Sequence, residues 1–398
     1  MQHTNNMEAE QKTRVSDGKL TSFTLLVTAN CNLRCDYCYT PKHPRQMDRE
    51  TADRSIDFMF AESDPASPLS VTYFGGEPLM APATIEYVCK QVLKRAEAEK
   101  REVSFSMTTN GTLVDQRNTE LIQTYDIKTK ISIDGAGTAQ DLHRKQADGS
   151  GSFSLILKHI DNIRSLPGLT VRMTVTPDTA RHLVQSVQWL SDNGFRHVFF
   201  TPVVEADWDE HSLATLYDAY HELSPYQKRN DNGMQVSNLQ RDYSRLRKGS
   251  KREYGCGAAV SMAAIDPRGH LYPCHRFTGY FAHTDDCRIG DVRNGFNQEK
   301  RNYYIETNRT ENFSGCGAGL FPDSTPSSEG TCLACSLFPV CHASCIAVNR
   351  FMTGKPYAPS PVNRILAQIS ASTSLACCST DNDTLLTNHS NSNAGGTE

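Results

Sequence analysis

The chain has 398 residues, 38% of them hydrophobic, and a formal net charge of −4 from 41 basic and 45 acidic residues. That length holds two domains or one large barrel with an appendage, and the unsegregated charge argues against a nucleic-acid partner. No apolar run reaches the roughly 18 residues a membrane-spanning helix needs, and residues 1–20 are polar with no signal-peptide core, so the expectation is a cytoplasmic protein without membrane contact.

Between residues 23 and 202 short β-rich runs alternate with helix-length amphipathic segments, the pattern of βα units around a parallel sheet. Strands are predicted at 23–27, 70–74, 103–108, 128–133, 170–176 and 197–201, and helices at 49–61, 82–100, 115–123, 152–165, 180–193 and 211–223. Six such units predict an α/β fold, a partial (β/α)6 barrel, over 21–225 after a polar lead at 1–20. Residues 226–253 carry mixed, mainly basic charge and read as a solvated linker. A cysteine-rich domain is expected over 254–378, and the Ser-, Asn- and Gly-rich tail, 379–398, lacks the apolar surface to order itself.

Directly after the first strand come Cys31, Cys35 and Cys38. In a reducing compartment, 14 cysteines point to metal or cluster ligation. Three thiolates at this spacing suit a [4Fe-4S] cube with one iron left open to a small molecule, and the alternative is a structural zinc knot. The C-x3-C-x2-C loop, with Tyr37 before the third cysteine, resembles the signature of the radical S-adenosylmethionine (SAM) enzymes. The resemblance implies that the open iron chelates SAM and that reductive cleavage yields a 5'-deoxyadenosyl radical.

The remaining motifs fall at the C-terminal ends of predicted strands, where barrels of this kind place their catalytic loops. Gly75-Gly76-Glu77-Pro78 follows the second strand, Asn110-Gly111 the third, and Ser132-Ile133-Asp134-Gly135 closes the fourth. Taken singly, these read equally as turn chemistry. By the resemblance, Gly75, Gly76 and Glu77 contact the cofactor's amino group, and Asn110 and Asp134 belong to its ribose- and carboxylate-binding segments. Ser132 bonds the ribose and Arg144 pairs with the carboxylate, with Arg172 on the fifth strand as second candidate for that pairing.

A second cysteine field begins at Cys256 and Cys274 and continues with Cys332, Cys335, Cys341 and Cys345. Its spacing resembles the SPASM domain, an extension of certain radical SAM enzymes that binds two auxiliary [4Fe-4S] clusters. The resemblance gives Cys256, Cys274 and Cys345 to one cluster and Cys332, Cys335 and Cys341 to the other. Cys316 is a candidate to complete the first, Cys377 or Cys378 would reach back as a last ligand, and Cys287 is a spare. A zinc ribbon is the alternative for the last four of the field.

SPASM-bearing enzymes act mostly on peptides and proteins, which implies a polypeptide substrate and an external electron donor of the flavodoxin or ferredoxin type. His275 follows Cys274 where the resemblance puts an aspartate proton acceptor in sulfatase maturases, and histidine at this place is similar to the peptide-crosslinking maturases. The expectation is therefore a maturase of ribosomal peptides that forms a thioether or carbon–carbon crosslink, with His275 as catalytic group. The alternatives are an anaerobic sulfatase-maturating enzyme and a non-catalytic iron–sulfur or zinc protein. About twenty residues precede the first strand, so leader recognition is expected to fall to a separate leader-binding protein or another surface.

Overall fold

Inside the sheet, alternate residues of each strand face opposite ways, and the sequence assigns the two faces different jobs. In β2 (Leu69–Gly75) Leu69, Val71 and Tyr73 are fully buried, whereas Ser70, Thr72 and Phe74 line a central cavity. In β5 (Thr170–Val175) Val171, Met173 and Val175 are buried, and Thr170, Arg172 and Thr174 face the same cavity. The apolar face meets helices and the polar face meets the site.

The protein is described from a computed structural model, over residues 19–228, 233–248, 253–281, 284–314, 332, 335–341 and 345–376. The strands β1 (Ser22–Thr28), β2, β3 (Val103–Thr109), β4 (Lys128–Ser132), β5 and β6 (His197–Pro202) run parallel in chain order, each within two residues of its predicted limits. Five short strands extend them: β7 (Gln235–Val236) beside β6, β8 (Met262–Ile265) parallel to β1, then β9 (His270–Tyr272), β10 (Gly290–Asp291) and β11 (Gly295–Phe296), antiparallel. The order β11-β10-β9-β8-β1-β2-β3-β4-β5-β6-β7 leaves the sheet open, as a partial barrel requires. The cysteine-rich region thus continues the sheet from β1.

The first helices are α1 (Arg49–Glu62), α2 (Pro82–Ala98), α3 (Gln116–Thr124), α4 (Thr138–Asp141), α5 (Phe153–Lys158) and α6 (Ile160–Arg164). They are followed by α7 (Leu183–Asp192), α8 (Glu210–Glu222), α9 (Ser237–Lys248), α10 (Phe277–Tyr280), α11 (Gln298–Thr307), α12 (Ile346–Thr353) and α13 (Pro361–Ala376). Asp48 and Asp115 cap α1 and α3 by accepting from Thr51 N and Asn118 N, and Asp209 with Ser212 forms a capping box on α8. Among the described residues no helix is long and apolar enough to cross a membrane.

Two expectations need correction. The helix read over 152–165 breaks at His159 into α5 and α6. Residues 226–253, read as a solvated linker, contain β7 and α9. The reason lies on the inner face of α9: Asn238 accepts from Phe200 N at 3.1 Å, Leu239 is buried, and Asp242 accepts from Ser370 Oγ of α13 at 2.8 Å. Its arginines Arg241 and Arg245 face the cavity instead of bulk solvent. The lead at 1–18, the tail at 379–398, Cys316, Cys377 and Cys378 lie outside the described residues.

Candidate active site

The three-cysteine loop is fastened to the ends of β1 and β2 by backbone. Gly76 N donates to Thr28 O at 2.9 Å and Glu77 N to Asn30 O at 2.8 Å. This approach excludes side chains: a Cβ at Gly75, whose φ is 143°, would lie 2.1 Å from Thr28 O, and one at Gly76 would lie 2.1 Å from Asn30 O. Each sulfur has a stabilising neighbour. Cys31 Sγ accepts from Leu33 N at 3.4 Å, with Asn110 Nδ2 at 3.9 Å, and Lys42 Nζ donates to Cys38 Sγ at 2.7 Å. Burial pushes the Cys35 thiol up to about 11, opposed by Arg144. N–H and cationic donors around clustered sulfurs are what thiolate ligands of a cluster require, so the loop fits that group. Among the described residues no three His, Cys, Asp or Glu side chains converge on a single-ion position.

Glu77 is the deepest carboxylate at this end. It accepts from Leu79 N (3.0 Å), Thr109 Oγ1 (2.7 Å) and Asn110 N (2.7 Å), tying the glycine turn to the end of β3. Burial raises it to about 7, against these three donors. Three donors from the protein engage its oxygens, so Glu77 braces Gly75 and Gly76. Asn110 likewise bonds Asn32 Oδ1 (2.9 Å) and accepts from Thr112.

Asp134 and Arg144 form a buried two-pronged ion pair, Nε–Oδ2 2.8 Å and Nη2–Oδ1 3.0 Å. Thr174 N (2.8 Å) and the Tyr37 hydroxyl also donate to Asp134. The guanidinium that the sequence offers to a carboxylate is held by one already, and Asp134 positions it. Ser132 faces the cavity from β4, in register with Arg172 of β5, which is opposite Phe199 of β6. His143 is built into the wall: its ring packs on Tyr37 at 5.5 Å and bonds Asp178 at 3.0 Å.

The second cysteine field reaches the same cavity. Cys256, Cys274 and Cys345 lie close enough that, after burial, Cys345 and then Cys256 push the Cys274 thiol up to about 12. Asn308, fully buried, holds the Cys256 loop by donating to Cys256 O (2.7 Å) and Ala258 O (3.1 Å). Tyr39 stands between the two fields. Its phenol is raised by burial foremost, against Arg276, and then by Cys38 on one side and Cys274 and Cys345 on the other. A Cβ at Gly279 would lie 2.5 Å from Tyr39 O, so this contact needs the glycine.

His275 projects between Phe74 (4.8 Å) and Tyr39 (6.4 Å), and burial, then Arg276, Lys130 and Arg172, push it down to about 3. Arg276 bonds Glu205 (3.1 Å) and Tyr280 (2.6 Å), and the Tyr280 hydroxyl donates to Glu205. Cys335 N donates to Cys332 O at 3.1 Å, and Cys341 Sγ lies 3.9 Å from Asn363 O. Cys287 is buried beside Tyr304, and Cys89 bonds Tyr73 at 3.0 Å in the core. Lys42, Tyr39, Glu205, Tyr280 and Arg241 were not legible as site residues; only the last three lack any motif beside them.

These walls enclose a cavity of 3440 Å³, well beyond the roughly 300–1,000 Å³ of a small-molecule pocket. An open parallel sheet with a cysteine loop at the carboxyl end of its first strand and a second cysteine field across the cavity defines an enzyme of the cluster-bearing α/β type. Residues 25–204 match the Radical SAM superfamily, and this part of the chain is a radical SAM domain, whose cofactors are a [4Fe-4S] cluster and SAM. The chain is 20% identical over 342 residues to a cysteine-type anaerobic sulfatase-maturating enzyme of Clostridium perfringens, covering 80% of this chain and 86% of that one. It is 24% identical over 303 residues to the radical SAM cyclopropyl synthase TigE of Paramaledivibacter caminithermalis, covering 70% and 62%. The solved structure of native anSMEcpe with bound AdoMet shares the fold, with a TM-score of 0.70 at 17% identity over 89% of this chain and 97% of that one.

Proposed function

We propose that this enzyme matures a peptide by joining two of its side chains, using the SAM site at the Cys31 loop and the Cys256 field as electron acceptor. The observation that carries the reading is one cavity shared by the cysteine loop, Ser132 and the His275–Arg276 segment, with room for a polypeptide. When bound, the cluster and SAM supply a 5'-deoxyadenosyl radical that takes a hydrogen atom from a substrate carbon. Bond closure then releases one electron and one proton, so the product is two hydrogens lighter. Cys31, Cys35 and Cys38 would hold the SAM-binding cluster; Gly75, Gly76 and Ser132 would orient SAM. Cys256, Cys274 and Cys345, with Tyr39 between the fields, would hold the group that takes the electron, and Cys332, Cys335 and Cys341 would hold the second. His275 faces the substrate where the relatives of sulfatase type are expected to carry aspartate, which favours crosslinking over formylglycine formation.

The substrate is a polypeptide on this reading, and the first electron comes from a flavodoxin- or ferredoxin-type donor. The test is co-expression with candidate short peptides, any open reading frame neighbouring the gene among them, followed by mass spectrometry. Loss of two hydrogens supports the crosslink; an aldehyde at a cysteine or serine overturns it in favour of sulfatase maturation.

A further inference from the structure

Arg172, second candidate in the sequence for the SAM carboxylate and given no role in the proposed function, lines the cavity and has no acidic partner among the described residues. Its guanidinium stacks on Phe199, with Cζ 4.1 Å from the ring centroid. Stacking engages the face of the guanidinium and leaves its in-plane N–H donors pointing past the ring, and among the described residues no hydrogen bond or ion pair engages them. Arg241 of α9 packs on the same ring at 4.7 Å and pairs with Asp242 at 2.9 Å. Burial first, then Arg241 and Arg276, push Arg172 down to about 10, the mark of a guanidinium set among other cations. A partly enclosed cation without a counter-charge is costly to keep unless a ligand supplies one.

Resting on the peptide-maturase reading, we propose that Arg172, with Arg241 across Phe199, is a pocket for the carboxylate of an Asp or Glu side chain of the substrate polypeptide. The register places this pocket beside Ser132, one strand from the expected position of SAM. The acidic residue would therefore be an anchor near the reacting carbon. Asp134 already occupies Arg144, which makes Arg172 the donor set open to an incoming carboxylate.

The test uses the full-length enzyme, anaerobically reconstituted with iron, sulfide and SAM, to select from a displayed random-sequence peptide library. Selected peptides should be enriched in Asp and Glu. Changing the anchoring acid to its amide should weaken binding by roughly 10- to 100-fold, the worth of a charge-assisted hydrogen bond. Arg172→Met should erase the difference between acid and amide peptides, Arg172→Lys should keep most of it, and SAM affinity by calorimetry should stay within about twofold in both. Selected peptides without acidic bias, or equal binding of acid and amide forms, would overturn the pocket and leave the peptide reading standing. Loss of SAM affinity in Arg172→Met would overturn it too, by giving Arg172 to the cofactor's own carboxylate. A library from which nothing is enriched would instead sink the peptide reading, and the pocket with it.

Discussion

The two halves of the molecule position their chemistry by different means. Between residues 22 and 202 a hydrogen-bonded ladder does it: Ser132, Arg172 and Phe199 are neighbours because β4, β5 and β6 align in register. Beyond residue 253 the strands are no longer than four residues, and Cys256, Cys274 and Cys345 meet across long sequence gaps, held by contacts such as those of Asn308. The expectation is that the first half holds its geometry without any cofactor and that the second depends on what its thiols bind, as small metal-stapled regions do.

The largest expected effect separates chemistry from fold. Replacing Cys31, Cys35 and Cys38 with Ala should abolish 5'-deoxyadenosine formation under reducing conditions, measured by chromatography. The melting profile should change little, since this loop is tethered by backbone bonds from Thr28, Asn30, Gly76 and Glu77. Replacing Cys256, Cys274 and Cys345 should do the reverse. SAM cleavage should persist, peptide product should disappear, and limited proteolysis should cut beyond residue 253 first. If both triple variants lose structure equally, the two halves hold their geometry by the same means.

The same contrast explains what the sequence made legible. Six parallel strands and most of their helices follow from alternation and amphipathic spacing, because those patterns are set by the ladder itself. Cys31, Cys35 and Cys38 were legible from spacing, and Gly75 and Gly76 from the turn they allow. The short strands β7 to β11 were not, since two- to four-residue strands carry no periodicity. The α9 segment was misread because its buried face is built from Asn238 and Asp242, polar residues satisfied only by partners on β6 and α13. The pairing of Arg144 with Asp134 and the engagement of Glu77 depend on side chains ten and 33 residues apart, distances that spacing does not encode.

A smaller effect tests whether the ladder half is braced before it binds anything. Arg144→Met leaves Asp134 buried with only Thr174 N and the Tyr37 hydroxyl as donors. Removing one partner of a buried pair costs about 3–5 kcal/mol, which a urea midpoint would show. A cost under about 1 kcal/mol, the worth of an exposed pair, would mean that Arg144 is loosely held and free to serve the SAM carboxylate instead.

The smallest predicted effect is a pH slope that belongs to the ladder half alone. Burial raises Glu77 from 4.5 to about 7 in the folded protein. The folded state therefore binds this proton more tightly than the unfolded chain, so the contribution is fully present below pH 4.5 and is lost as pH rises through 7. A shift of this size corresponds to at most about 3 kcal/mol. Glu77→Gln keeps an oxygen to accept from Thr109 or Leu79 but sets an amide N–H against Asn110 N, so it should be less stable near pH 5. Its urea midpoint should fall less steeply with pH than that of the unmodified protein. An identical slope in both would place the titrating group elsewhere, and a slope that vanished with the Cys256 field would move it into the other half of the molecule.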